Sequence, residues 1–218
     1  MRHDTKDRLM KAGADAFADK GFDGASVRDI CEAAGTNVAS VRYHFSDKAG
    51  LYRKILETVH RDAFLSRPMP TASDDAQADL LAWIEWFLAL ATTLRGHAFG
   101  ALMMREMVDP TEALDLMAEK GGRPIHAHVT GVIERLIGLP DIREPDLPPP
   151  EELAMFVMGL CAHRVKAHPM IARILGTARD RNRLMPEDLP HTARLIHAFA
   201  LHGLRPRRPV SDPEAWER

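Results

Sequence analysis

The chain has 218 residues, 45% hydrophobic and 28% charged, and its 29 Lys and Arg against 31 Asp and Glu leave a net charge of −2. A globular chain of this size buries roughly 70% of its unfolded surface, which excludes disorder and low complexity for most of the sequence. Two cysteines exclude a disulfide framework and a cysteine-rich zinc site and fit a reducing cytoplasm, while the near-neutral balance means that any affinity for nucleic acid must come from a local surface.

The charged start MRHDTKDRLMK has no apolar stretch behind it, so no secretory signal is expected, and the longest apolar run, 80–91, is broken by Glu85 and too short for a bilayer. Apolar residues recur with helical spacing and no alternation of period two occurs, so the expected fold class is all-α. A first helix is expected to start with Asp4 or Thr5 as N-cap, to carry Leu9, Gly13, Ala16 and Phe17 on one face, and to stop at Gly21, with Phe22 packing back. Ser26 caps a second helix with Asp29 at its third position and Val27, Ile30, Cys31 and Ala34 as its stripe, ending at Gly35. Asn37 caps a third, Val38 to Phe45, so that two short helices joined by a glycine turn form a helix-turn-helix. Ser46 or Asp47 opens a fourth, Lys48 to about Leu65, which ends at Pro68 and Pro70.

From Asp74 the helices lengthen: Leu80, Ile84, Phe87, Leu88 and Ala91 form one stripe up to Arg95-Gly96, and a further helix is expected over about 99–108. Another opens at Pro110-Thr111 and runs toward Gly138, with a break expected at Gly121-Gly122 and Pro124. The proline-rich stretch 140–150 reads as a loop, followed by helices from Glu151 to about His168 and from Glu187 or Pro190 to about Leu204. The expected division is 1–50 as a helix-turn-helix domain, 51–204 as a larger helical domain, and 205–218 as a flexible tail.

In the helix 38–45, Val41 and Phe45 lie one turn apart and are expected to bury against Ile30 and Phe17, which turns Ala39, Ser40, Arg42 and Tyr43 outward. Such a face fits a major groove. Arg42 suits a bidentate contact to a guanine edge, Val38 and Ala39 suit a thymine methyl, and Ser40, Tyr43 and His44 suit phosphates, with Lys48 and Thr36 as further phosphate donors. Plainer roles stand beside these: Tyr43 and His44 covering an apolar seam, Arg28 pairing with Asp29 or Glu32, and Lys48 as a solvated lysine.

The string VRDICEAAGTNVASVRYHFSDKAGLY, with Phe17 and Lys20-Gly21-Phe22 ahead of it, resembles the DNA-binding domain of the TetR/AcrR family of bacterial repressors from about Thr5 to Ile55. Asn37-Val38-Ala39-Ser40 with Tyr43, and then Arg105-Glu106 and Pro110, is similar to the subgroup that includes CecR. The resemblance implies a helix-turn-helix domain, a helical domain that binds a small-molecule effector and dimerises, and a double-stranded DNA operator as partner, with no cofactor. With the cap Asn37, the candidate DNA-binding set is Arg28, Thr36, Asn37, Val38, Ala39, Ser40, Arg42, Tyr43, His44 and Lys48. The family often has an aromatic where this chain has Arg42 and a glycine where it has Ala39, which leaves the operator sequence open.

No phosphate loop, HExxH or GxSxG occurs, so no catalytic residue is assigned. His126 and His128 point about 200° apart on a helix, and His163 and His168 are five apart with Pro169 next, so neither pair suits a metal. Cys31 and Cys161 sit on apolar stripes as core residues. The candidate ligand set is Trp83, Trp86, Phe87, Phe99, Met103, Arg105, Glu106, Met107, Phe156 and His163, suited to an apolar or aromatic effector oriented by Arg105, Glu106 or His163, with a methionine-rich core as the plainer alternative. The stripes Leu153, Phe156, Val157, Leu160 and Ala193, Ile196, Ala200, Leu204 suit a homodimer, the alternative being closure of the monomer's own core. The expected protein is a cytoplasmic, membrane-free, ligand-responsive repressor that is not an enzyme. Two other classes share these features: a helical adaptor whose helix-turn-helix no longer meets DNA, and an all-α enzyme for a lipid-type substrate using Glu106 with His163.

Overall fold

A computed structural model describes residues 2–95, 102, 105–139, 147–166 and 188–204. Among these residues the regular structure is helical and no strand occurs: α1 (Arg2–Gly24), α2 (Val27–Ala33), α3 (Val38–Phe45), α4 (Lys48–Ser66) and α5 (Ala76–Arg95) come first. After these, α6 (Ala113–Met117) passes through a π-helical turn (Ala118–Gly122) into α7 (Arg123–Ile137), and α8 (Pro150–Lys166) and α9 (Leu189–Leu204) complete the order. The helix expected over 99–108 lies partly outside the described residues, as do most of the proline-rich loop, Phe99, Met103 and the tail.

Short polar side chains set the boundaries of the N-terminal helices. Ser26 Oγ accepts from Asp29 N–H at 3.0 Å, Asn37 Oδ1 from Ser40 N–H at 3.1 Å and Asp47 Oδ1 from Gly50 N–H at 2.7 Å, each satisfying a donor that the first helical turn leaves open. α1 departs from expectation at both ends. It begins at Arg2, ahead of Asp4, and helical structure resumes beyond Gly21, whose φ of 76° and ψ of 177° bend the chain before Phe22–Gly24. The break expected at Gly121-Gly122 and Pro124 is instead a π turn that carries one helix into the next.

The chain divides into two compact units: Met1–Met69 with Ala89–Pro124, and Pro70–Leu88 with Ile125–Arg218. In the first, α1 to α4 enclose Leu9, Phe17, Ile30, Val41, Phe45 and Leu51, and Leu102, Ala113 and Met117 complete the same core. Rings of Phe17, Phe22 and Tyr52 meet there, with centroids 4.8 Å apart for Phe17 and Tyr52 and 5.1 Å for Phe22 and Tyr52. In the second, α8 packs on α9, and a buried polar clamp fixes the entry to α5. Asp79 receives Arg135 and accepts Ser73 N–H at 2.9 Å and Ser73 Oγ–H at 2.7 Å, and these bonds, Arg135 first, hold its carboxyl at about 2. Burial raises both thiols, Cys161 to about 12, as core cysteines require.

Candidate nucleic-acid interface

The turn between α2 and α3 needs one residue in the left-handed region, and Gly35 supplies it with φ 60°. α3 then buries Val41 and Phe45 at 1% and 7% exposure against the core that holds Ile30 and Phe17, as their spacing predicts. The opposite face stays outside: Val38 is 44% and Tyr43 64% exposed, and Ala39 and Arg42 are exposed with them. Arg28 on α2 is exposed too, and its neighbour Asp29 is engaged by Lys20 at 3.2 Å and by Ser26.

Four of the candidates also have partners within the chain. Thr36 Oγ1 and Ser40 Oγ are 2.7 Å apart, and Ser40 Oγ–H donates to Asn37 Oδ1 at 3.3 Å. With Ser40's proton on Asn37, Thr36's proton rests on Ser40, so neither hydroxyl has a proton left for a phosphate in this arrangement. Lys48 is not a freely solvated lysine: its Nζ donates to Asp23 C=O at 3.3 Å and stands 4.6 Å from the centre of the Phe22 ring, tying the start of α4 to the end of α1. His44 is half-buried with its ring between those of Tyr43 (4.9 Å) and Phe45 (6.0 Å), while Tyr43 reaches outward.

The expected ligand residues are not gathered in one unit. Arg105, Glu106 and Met107 belong to the first unit, and Trp83, Trp86, Phe87, Phe156 and His163 to the second. Arg105 donates to Ala18 C=O at 3.3 Å and Asp19 C=O at 2.6 Å, closing carbonyls that the bend at Gly21 would otherwise leave open. Glu106, 1% exposed, accepts from Tyr52 O–H at 2.7 Å and from Thr111 N–H and Oγ–H, both at 2.9 Å. These two side chains therefore hold the first unit together, in place of the ligand-orienting role expected of them, and Met107 is 61% exposed. Burial and the Glu106 carboxylate push the Tyr52 phenol upward, so it remains a donor.

Trp83 is fully buried in the second unit, stacked on Phe87 at 5.1 Å, and its indole N–H has no partner among the described residues. Phe156 and His163 lie on α8 along an open apolar groove of about 890 Å³ that Phe199 also lines. Among the described residues no cluster of three metal-ligating side chains occurs, and no helix is long and apolar enough to cross a membrane.

Residues 9–55 match "Bacterial regulatory proteins, tetR family", and residues 76–204, more than half of the chain, match "HTH-type transcriptional dual regulator CecR, C-terminal domain". The probable HTH-type transcriptional regulator YttP of Bacillus subtilis (strain 168) is 33% identical over 75 residues, 34% of this chain and 35% of that protein. The HTH-type transcriptional dual regulator CecR of Shigella flexneri is 25% identical over 146 residues, 61% of this chain and 65% of that protein. The chain thus spans about a third of the first relative and just under two thirds of the second. In fold it is similar to the flavonoid-responsive regulator FrrA, with a TM-score of 0.64 and 20% identity over 94% of this chain and 98% of that one.

Proposed function

Since the chain belongs to the TetR family of bacterial regulatory proteins and carries a C-terminal domain of the CecR type, we propose that it is a cytoplasmic repressor that binds a palindromic operator as a homodimer and leaves it when a small apolar or aromatic effector binds. It is a transcriptional regulator and not an enzyme. The observation that carries the DNA-binding part is α3, which is pinned by Val41 and Phe45 on one side and offers Val38, Ala39, Arg42 and Tyr43 on the other. Arg42 reads a guanine, Val38 and Ala39 meet a thymine methyl, and Tyr43, His44, Arg28 and a remaining proton of Lys48 reach phosphates. Thr36, Asn37 and Ser40 fix the start of the reading helix. In this reading residues 1–50 carry the DNA contacts and 51–204 the effector and partner contacts.

A palindrome requires two copies of α3 about 34–36 Å apart or a multiple of that spacing. Of the stripes expected to pair with a twin, Val157, Ala193, Ile196 and Leu204 are buried within the single chain, and the face left for a twin is instead Met155 and Phe156 on α8, each 57% exposed, and Leu195 and Phe199 on α9, 59% and 69%. Four large apolar side chains on two packed helices form the kind of patch that a self-complementary contact covers. The aromatic residues of α5 are the proposed effector contacts, and the groove that Met155, Phe156 and Phe199 line belongs to the face proposed for the twin. An effector that binds best to the form with the reading helices spread apart would shift α4 and lower operator affinity.

Selection of random duplex DNA on the purified protein at two salt concentrations tests the reading. A recovered palindrome whose binding falls steeply with salt, together with a dimer in sedimentation, supports it, and a folded protein that enriches no sequence overturns it. On that DNA, Arg42→Ala is expected to lose about 1–3 kcal/mol and to relax the preference at one position of each half-site. Lys48→Ala is expected to weaken binding to every sequence and to lower the salt slope by about one charge, while losing ~0.5–1 kcal/mol of stability with the Phe22 contact. An unchanged slope in a titration of binding against salt would remove Lys48 from the phosphate contacts.

A further inference from the structure

The cations of the reading helix and of the helix after it, Arg42 and Lys48, lie toward one end of α3. Its opening stretch, Thr36, Asn37, Val38, Ala39 and Ser40, contains none, and the two hydroxyl protons there are already used. Arg28 lies at the far end of α2 from this stretch. A helix seated in a major groove is flanked by the phosphates of both strands, so its opening end also meets anions, which this stretch by itself leaves without a counter-charge.

A cation from another element stands at that end. Arg8 is an exposed residue of α1, and its Nη1 comes to the turn between α2 and α3: a Cβ built on Gly35 would lie 3.2 Å from it. The glycine that a φ of 60° demands at this turn thus also leaves room for a guanidinium to sit against it. Two steps of backbone, about 8 Å of chain, separate Gly35 from Asn37, the cap of the reading helix. The rest of the Arg8 side chain is weakly held. Nη2 donates to Thr5 Oγ1 at 3.4 Å, and Nε lies 3.7 Å from Asp4 Oδ1 in a pair whose side chains are 45% and 71% exposed and which solvent screens. Among the described residues no acceptor engages Nη1, so the guanidinium is not consumed in closing the last carbonyls of α2.

We propose that Arg8 is a DNA contact: its guanidinium donates to a backbone phosphate beside the opening end of the reading helix, which brings α1 into the interface. The proposal rests on the DNA-binding reading and adds to it a residue outside the helix-turn-helix. The face of α3 that enters the groove is Val38, Ala39, Arg42 and Tyr43, and Arg8 stands beside the turn ahead of that face, which assigns it to the backbone and not to a base edge. A phosphate there exchanges a screened pair for charge-assisted bonds, in the forked geometry that a guanidinium offers and an ammonium does not.

The test measures binding of the full chain to the selected operator and to an unrelated duplex across a range of salt, for the parent, Arg8→Ala, Arg8→Lys and Arg61→Ala, the last a cation about 20 Å along α4 from Lys48. Arg8→Ala is expected to weaken binding to both duplexes by the same factor, about five- to tenfold, and to lower the salt slope by about one. Arg8→Lys is expected to keep the slope and lose part of the affinity, and Arg61→Ala to change neither. Methylphosphonates placed at one backbone position at a time locate the contact: one position in each half-site is expected to weaken the parent and leave Arg8→Ala unaffected. The melting curve of Arg8→Ala is expected to match the parent's, and Arg8→Gln, which keeps the stem and a donor for Thr5, replaces it should it melt early. Unchanged affinity and slope, a loss no larger than that of Arg61→Ala, or the same methylphosphonate pattern in parent and variant would each overturn the assignment. Loss of binding in Arg42→Ala with none in Arg8→Ala overturns the Arg8 contact alone, whereas a folded protein that binds neither duplex overturns it together with the DNA-binding reading.

Discussion

Gly50→Ala is expected to destabilise the first unit by about 3 kcal/mol or more and to remove operator binding, although it adds one methyl group to a helix. Gly50 sits in the first turn of α4, where the end of α3 crosses it: a Cβ there would overlap the carbonyl oxygen of Phe45 and lie 3.1 Å from its carbonyl carbon. Both obstacles are backbone, so no rotamer change relieves them. The chain must instead lift α3 from α4, which loosens Phe45 from the core and strains the bond from Gly50 N–H to Asp47. In thermal denaturation followed by circular dichroism this corresponds to a fall of about 6–12 °C. Gly131→Ala on α7 is the matched control. Nothing lies within 4 Å of a Cβ at Gly131, and removing a mid-helix glycine is expected to stabilise by about 0.5–1 kcal/mol. Equal effects of the two substitutions would show that the α3–α4 crossing is not where this geometry places it.

Glu106→Ala is expected to cost about 3 kcal/mol, because it leaves the buried Tyr52 hydroxyl and the half-buried Thr111 amide without an acceptor. Glu106→Gln separates the two ends of the network. Its amide oxygen still accepts from Tyr52, but its NH₂ then faces the Thr111 N–H, donor against donor, for a loss of about 1–2 kcal/mol. Urea titration of both variants beside Tyr52→Phe measures this. Were Glu106→Ala no more destabilised than Glu106→Gln, the carboxylate would not be the hub that the distances describe.

What the sequence made legible, and what it did not, follows the range of the interactions concerned. Ser26, Asn37 and Asp47 each cap a helix through a bond to the residue three positions on, so their pattern can be read in a window of four residues, and α2, α3 and the start of α4 lie where those caps put them. Val41 and Phe45 were likewise readable from one turn of spacing. Arg105 and Glu106 were noticed but given a different part, because their partners Ala18, Asp19 and Tyr52 lie 87, 86 and 54 positions away and only the fold brings them near. The glycine pair 121–122 looked like a break for the same reason. A Cβ at Gly121 would come within 2.5 Å of His60 Nε2, a reason for glycine there that no local pattern reveals. Thr36 and Ser40 carried the right atoms for phosphate, but the sequence did not show that their hydroxyl protons are used between themselves and Asn37.

The first unit also has a consequence for the order in which the protein can be made. Its core is built from α1 to α4 and finished by Leu102, Ala113 and Met117. A ribosome adding about 5–20 residues per second takes about 3–12 s to travel from Leu56 to Met117. Throughout that interval the nascent chain holds a complete reading helix on an unfinished support: the apolar side of α4 is uncovered, the Tyr52 hydroxyl has yet to meet Glu106, and the carbonyls of Ala18 and Asp19 have yet to meet Arg105. The surface proposed to touch DNA is thus synthesised before its support, and becomes rigid only after the segment that clasps it has left the exit tunnel.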